Sequence, residues 1–193
     1  MSMPTFLRAP AYAPSAIPEP PLARFLFSDV RASWIWLVIR LYLGYEWLSA
    51  GSEKLTSPAW TGAQAGTALT GFLKGALAKT GGPNPSVQGW YATFLRDVVL
   101  PNARAFSYVV AIGETLVGVA LVLGLLTGIA AFFGVVMNAN YLLAGTVSTN
   151  PILIILGALV MLAWRNAGWI GLDRWLLPSL GTPWRPGPML RLR

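Results

Sequence analysis

The chain has 193 residues, of which 55% are hydrophobic and 11% charged, and its net charge is +7. A soluble domain carries roughly 25% charged residues, so the composition points to an integral membrane protein of one domain. Cysteine and histidine are both absent, which excludes disulfides, thiol relays, Cys-ligated clusters, His-ligated haem, His/Cys zinc sites and a Ser-His-Asp triad.

Residues 1–28 read as a Pro-rich tail, with Pro4, Pro10, Pro14, Pro18, Pro20 and Pro21 fixing the backbone and removing donors. The first apolar run starts only at about residue 32, later than a signal peptide would place it, so no cleavage is expected. That run, 32–50, follows Ser28 and Asp29 as candidate caps and spans about 27 Å, the thickness of a hydrocarbon core. Three more spans are expected over about 105–124, 126–145 and 151–170, the last opened by Asn150 and Pro151. Arg165 and Asn166 can snorkel near its end. The turns 124–128 and 146–150 are short, which forces antiparallel neighbours. Residues 29–178 are thus expected to form an all-α, integral membrane four-helix bundle, followed by a basic C-terminal tail over 179–193.

The long first connection, 55–104, carries two apolar stripes at helical spacing. One holds Ala65, Leu69, Phe72, Leu73 and Ala76, the other Val87, Trp90, Tyr91, Phe94 and Val98. Gly81 to Pro85 separates them and Pro101 is expected to end the second. Two amphipathic, non-spanning helices follow, covering helix ends or closing a site. Basic residues set the orientation. Arg8, Arg24, Arg31, Arg165, Arg174, Arg185, Arg191 and Arg193 lie on the tail side. Lys54, Lys74, Lys79, Arg96 and Arg104 lie opposite. Both termini are therefore expected in the cytoplasm, with the chain multi-pass in the cell membrane. The spread of charge over tails and a loop gives no nucleic-acid surface; the bilayer and other protein subunits are the expected partners.

Ionisable groups inside the bilayer carry the functional signal, because each costs at least about 2.5–3.5 kcal/mol there. Helical rise puts Arg40 about 12 Å from the start of the first helix and Glu114 about 14 Å from the opposite end of the second. A shared depth on antiparallel helices predicts an Arg40–Glu114 ion pair or proton relay. Glu46, Asn138 and Asn140 fall in one layer of the outer half, about 18–21 Å from their helix starts. Arg40, Gly44, Trp47, Gly51 and Lys54 share a stripe of the first helix. Asn138 and Asn140 point to nearly opposite faces, so one of them is expected at the bundle centre. Glu46, Trp47, Asn138 and Tyr141 form the candidate ligand site, set against a purely structural role in fixing helix register.

Arg40-Leu-Tyr-Leu-Gly44 followed by Gly51-Ser-Glu-Lys54 resembles the first-helix signature of the DoxX/DoxD-like membrane family. Gly113-Glu114-Thr-Leu-Val-Gly118 is similar to its second-helix segment, and Asn138-Ala-Asn140-Tyr141 through Pro151 to the third-helix motif of the DoxD-like branch. Gly168 to Trp175 resembles its C-terminal segment. The resemblance implies a four-helix membrane protein like the small subunit of thiosulfate:quinone oxidoreductase. A quinone could then accept hydrogen bonds from Arg40 or an Asn, pack on Trp47 or Tyr141, and take protons from Glu46 or Glu114. No metal and no covalently bound cofactor is expected. Three roles stay open: a quinone-binding subunit of an oxidoreductase whose partner supplies electrons, a non-catalytic subunit that anchors a larger membrane complex, and a small-solute or proton carrier.

Overall fold

A computed structural model describes residues 19–181, and all regular structure among them is helical. Residues 1–18 and 182–193 of the tails expected over 1–28 and 179–193 lie outside the described residues. Residues 21–28, assigned to the extended tail, instead form helix α1 (Pro21–Ser28). Pro21 occupies its first turn, where a missing N–H costs nothing. Phe27 stacks on Trp36 at 5.7 Å, and the Trp36 indole donates to Leu26 O at 2.7 Å. Asp29 then caps a single 3₁₀ turn, accepting from the Arg31 amide at 2.8 Å. The Arg31 side chain's hydrogen bonds to the same carboxylate bring its pKa down to about 2.

Helix α2 (Ser33–Thr56) runs a turn and a half past the end of the expected span. Helix α3 (Thr67–Leu77) is the first of the expected connection helices. The second, α4 (Gly89–Phe94), is not separate. It continues through a widened turn over Leu95–Val99 and a 3₁₀ turn over Leu100–Asn102 into α5 (Ala103–Leu123). Pro101 therefore does not end it. In the widened turn the Leu100 N–H reaches back five residues to Leu95 O, and that change of register accommodates the donor that proline lacks. The result, Gly89–Leu123, is the one helix among the described residues that is long and apolar enough to cross a membrane. Helices α6 (Thr127–Leu143) and α7 (Asn150–Leu162) are apolar but shorter.

Helix α7 stops at Leu162 rather than near residue 170. The chain leaves helical geometry there to place Asn166, which does not snorkel: it is fully buried and donates to Leu26 O and Asp29 O at 2.9 and 2.7 Å. Arg165 stays half exposed and pairs with Glu19 at 3.0 Å. Helix α8 (Asp173–Ser179) closes the same end.

Helices α2 and α5 pack most intimately, and small residues set their spacing. A Cβ on Gly44 would lie 2.8 Å from Val122 Cγ2, and one on Gly51 would lie 2.5 Å from Thr115 N. The central core gathers Trp36, Leu43, Trp47, Val117, Leu121, Ala131 and Val160. A second cluster, with Leu73, Val87, Tyr91, Leu95 and Ala144, seats the connection across one end. Outward faces are also apolar: Val38 and Tyr45 on α2, Ile112 and Leu123 on α5, Phe132 and Val136 on α6, and Ile152 and Ile155 on α7 are exposed.

Gly51→Val is expected to destabilise the fold by about 1–3 kcal/mol, because its side chain meets Thr115 backbone and cannot be relieved by a rotamer change. Gly71→Ala, with nothing within 4 Å of the new Cβ, should be neutral or stabilising by about 0.5–1 kcal/mol. Denaturation of the two variants in mild detergent checks both, and equal stabilities would contradict the close α2–α5 approach.

Candidate functional site

The α2–α5 register decides which charges meet. Gly44 lies against Val122, and Gly51 against Thr115. Arg40 therefore faces the C-terminal end of α5, while Lys54 comes level with Glu114. The expected Arg40–Glu114 pair does not form.

Arg40, 1% exposed, spends its guanidinium on carbonyls. Nη1 donates to Leu121 O at 2.6 Å and Val122 O at 3.1 Å, and Nη2 to Ile170 O at 2.7 Å. A cation suits Leu121 O and Val122 O, since the last carbonyls of a helix carry partial negative charge. The acidic group whose field acts on Arg40 is Asp173. Asp173 is itself buried and accepts from Leu126 N at 2.6 Å and Thr127 N at 2.8 Å, capping α6. It also steadies Leu126, which has a left-handed φ of 46°. Together Arg40 and Asp173 form a clamp on the α5–α6 turn.

Glu114 lies toward the opposite end, 2% exposed. Its Oε2 is 2.7 Å from Lys54 Nζ, and its Oε1 accepts from the Tyr141 hydroxyl at 2.6 Å. The Lys54 ammonium also sits 5.2 Å from the centre of the Trp60 ring. Helices α2, α5 and α6 thus each contribute one member of a Lys54–Glu114–Tyr141 chain.

That chain borders a cavity of about 320 Å³. Glu46, Trp47, Asn138 and Tyr141 line it, together with Lys54 and Glu114; Arg40 does not. Trp60, Leu69 and Phe72 from the connection form another wall, and Ser148 and Thr149 from the α6–α7 turn, with Asn150 at the start of α7, complete it. The Trp47 and Tyr141 rings are 6.5 Å apart and tilted by 37°, which leaves apolar ring surface beside polar groups. Glu46 is half-buried at the rim.

Asn138 is the anomaly. It is fully buried, and neither Oδ1 nor Nδ2 has a hydrogen-bond partner. A buried polar atom left unsatisfied costs about 1–3 kcal/mol. Asn140, two residues on, turns the other way: its Nδ2 donates to Val136 O at 2.8 Å and its Oδ1 accepts from the Tyr91 hydroxyl at 3.1 Å. The two asparagines therefore diverge, as two positions a helical step of two apart must.

Sequence reasoning did not assign Lys54 or Asp173 to any partner. Lys54 was visible on the Arg40–Gly51 stripe, seven residues from Trp47 and so on the same face. Asp173 had no signal beyond its place in a Gly-rich C-terminal segment.

A family model described as DoxX matches residues 35–146, which run from the first turn of α2 through α6 and include every charged member of the chamber. No curated protein and no solved structure matches the chain.

Proposed function

The chain belongs to the DoxX family, a membrane family, and from that premise we propose that its polar chamber binds quinone within a quinone-linked oxidoreductase. In this reading α2, α5, α6 and α7 form a multi-pass membrane bundle with both termini cytoplasmic. The chain is the membrane subunit of a complex, of thiosulfate:quinone type, and anchors the partner that donates electrons. The apolar outward faces of all four helices support a lipid environment, because in water such surface would favour association.

The observation that carries the reading is Asn138. Its buried carboxamide has a donor and an acceptor to spare, on a wall shared with aromatic rings and a carboxylate. A quinone carbonyl would take the Nδ2 hydrogen, and the ring would lie against Trp47 or Tyr141. The residues fit such a group: Trp47, Trp60, Leu69 and Phe72 supply apolar wall, Asn138 and the carboxylates supply polar atoms beside it, and the volume is at the small end of the roughly 300–1,000 Å³ typical of ligand sites. A bound quinone supplies the capacity to carry two electrons and two protons. The chain's own part is to orient the ring, keep water out and hold a proton path. Lys54, partly exposed, touches Glu114, which touches the Tyr141 hydroxyl, so a proton can be passed inward along three groups in hydrogen-bond contact. With no cysteine or histidine in the chain, electrons come from the partner protein.

Asn138→Leu tests this. Quinone affinity should fall about tenfold, the loss of one well-placed hydrogen bond in a dry site, while folding and assembly are unchanged. Unchanged affinity, or loss only through disassembly, would favour the alternative role of a non-catalytic assembly subunit.

A further inference from the structure

A second, larger cavity of about 690 Å³ lies between α5, α6 and the arm formed by α3 and α4. Its walls are almost wholly apolar, with Phe94, Phe106, Val109, Ile129 and Phe133 prominent. Its few polar groups are already engaged. The Tyr91 hydroxyl and Asn140 bond each other, and the Tyr141 hydroxyl is turned to Glu114. A polar head would find nothing to bond here.

This groove adjoins the polar chamber across a shared wall. Leu69, Phe72, Val110 and Tyr141 line both. Tyr141 is the boundary between them, with its hydroxyl on the polar side. We propose that the two cavities hold one ligand: a neutral, hydrogen-bonding ring beside Asn138 and an isoprenoid or alkyl tail running past Tyr141 into the groove. The inference rests on the quinone reading of the chamber and adds the part of the molecule that the chamber cannot contain.

Charge selects the head. Glu46 and Glu114 face the chamber against one lysine, and Glu114 already pairs with it. A phosphate would meet two carboxylates there without a free cation, whereas a carbonyl-bearing ring meets a spare carboxamide. Gly113 offers a way to fill only the tail site. It lines the groove, and a Cβ placed on it lies 3.6 Å from the Met137 Cε and Sδ, in ordinary contact.

The experiment compares a tailless benzoquinone with its decyl-tailed homologue on the purified full chain in mild detergent. The wild type should bind the decyl form at least about tenfold more tightly, since each buried methylene adds affinity. Gly113→Phe should weaken decyl binding about tenfold and leave tailless binding within about twofold. Ile129→Trp, from the facing helix, serves as a second block, with circular dichroism confirming that both variants are folded. If the tailless form binds and the decyl form gains nothing, or if both blocks leave decyl binding intact, the tail assignment is overturned and the quinone reading survives. If neither quinone binds the wild type, both fail. A copurifying phospholipid that Gly113→Phe expels and decyl quinone does not displace would give the groove to lipid and overturn the proposal.

Discussion

Arg40→Met is expected to lower the stability of the protein by about 3 kcal/mol or more, although Arg40 touches no part of the polar chamber. Val122 O at the end of α5 and Ile170 O in the segment leading to α8 would lose their Arg40 donors, and Leu121 O would keep only the Gly124 N–H at 3.3 Å. Each lost bond to a charged group is worth about 1.5–3 kcal/mol, and removal of the desolvated charge returns part of the sum. Gly124 is shaped for the guanidinium as well. Its φ of 65° is left-handed, and a Cβ there would collide with Arg40 Nη1. Arg40→Lys should fall between wild type and Met, because an ammonium cannot hold the carbonyls with a planar fork. Denaturation in detergent, read by circular dichroism, measures the order. Wild-type stability in Arg40→Met would show that the clamp is not what holds the helix ends together. Quinone affinity of the folded fraction should be unaffected, which separates this cluster from the chamber.

The helices were legible because apolar runs and short turns are local; the caps were not, since Ala32 and Thr149, rather than Asp29 and Asn150, precede α2 and α7. The α2 stripe from Arg40 to Lys54 was legible for the same reason, and so was the divergence of Asn138 and Asn140. The pairing of Arg40 with Glu114 failed on a quantity no local pattern carries, the stagger between two antiparallel helices. Depth counted from helix ends assumed that the first helix stopped near residue 50 and the second began near 105. In fact α2 continues to Thr56 and α5 is the continuation of α4, so neither assumed end is a physical end. The glycines fix the stagger instead, through contacts such as Gly51 with Thr115 that only the fold reveals. Pro101 misled similarly: proline usually ends a helix, but a widened turn upstream accommodates the missing donor. Gathering Glu46, Trp47, Asn138 and Tyr141 on one cavity needed only a shared depth, a coarser requirement than an ion pair at 2.7 Å.

Lys54→Met is expected to destabilise the protein by about 3–5 kcal/mol, the usual consequence of leaving a buried partner charge alone. Glu114 is 2% exposed and Lys54 is the cation at its Oε2; the Tyr141 hydroxyl alone cannot neutralise it. Glu114→Gln should cost less. The amide keeps an oxygen for Tyr141, and the stranded Lys54 is one-fifth exposed, so it can reach water. Combining Lys54→Met with Glu114→Gln removes both charges and should recover most of the stability, because a buried ion pair offsets little more than its own desolvation. A double-mutant cycle on detergent-solubilised protein yields the coupling, expected at about 1.5 kcal/mol or more. Additive single effects would mean the two side chains do not form a pair. Function should not recover with stability. Under the proposed reading the double variant binds quinone through Asn138 but has lost its two charged proton carriers, so quinone-coupled turnover in the assembled complex should stay at least about a hundredfold down. Wild-type turnover in a stable double variant would leave the Lys54–Glu114–Tyr141 chain as a packing device and move the proton path elsewhere, with Glu46 the remaining carboxylate on the chamber wall.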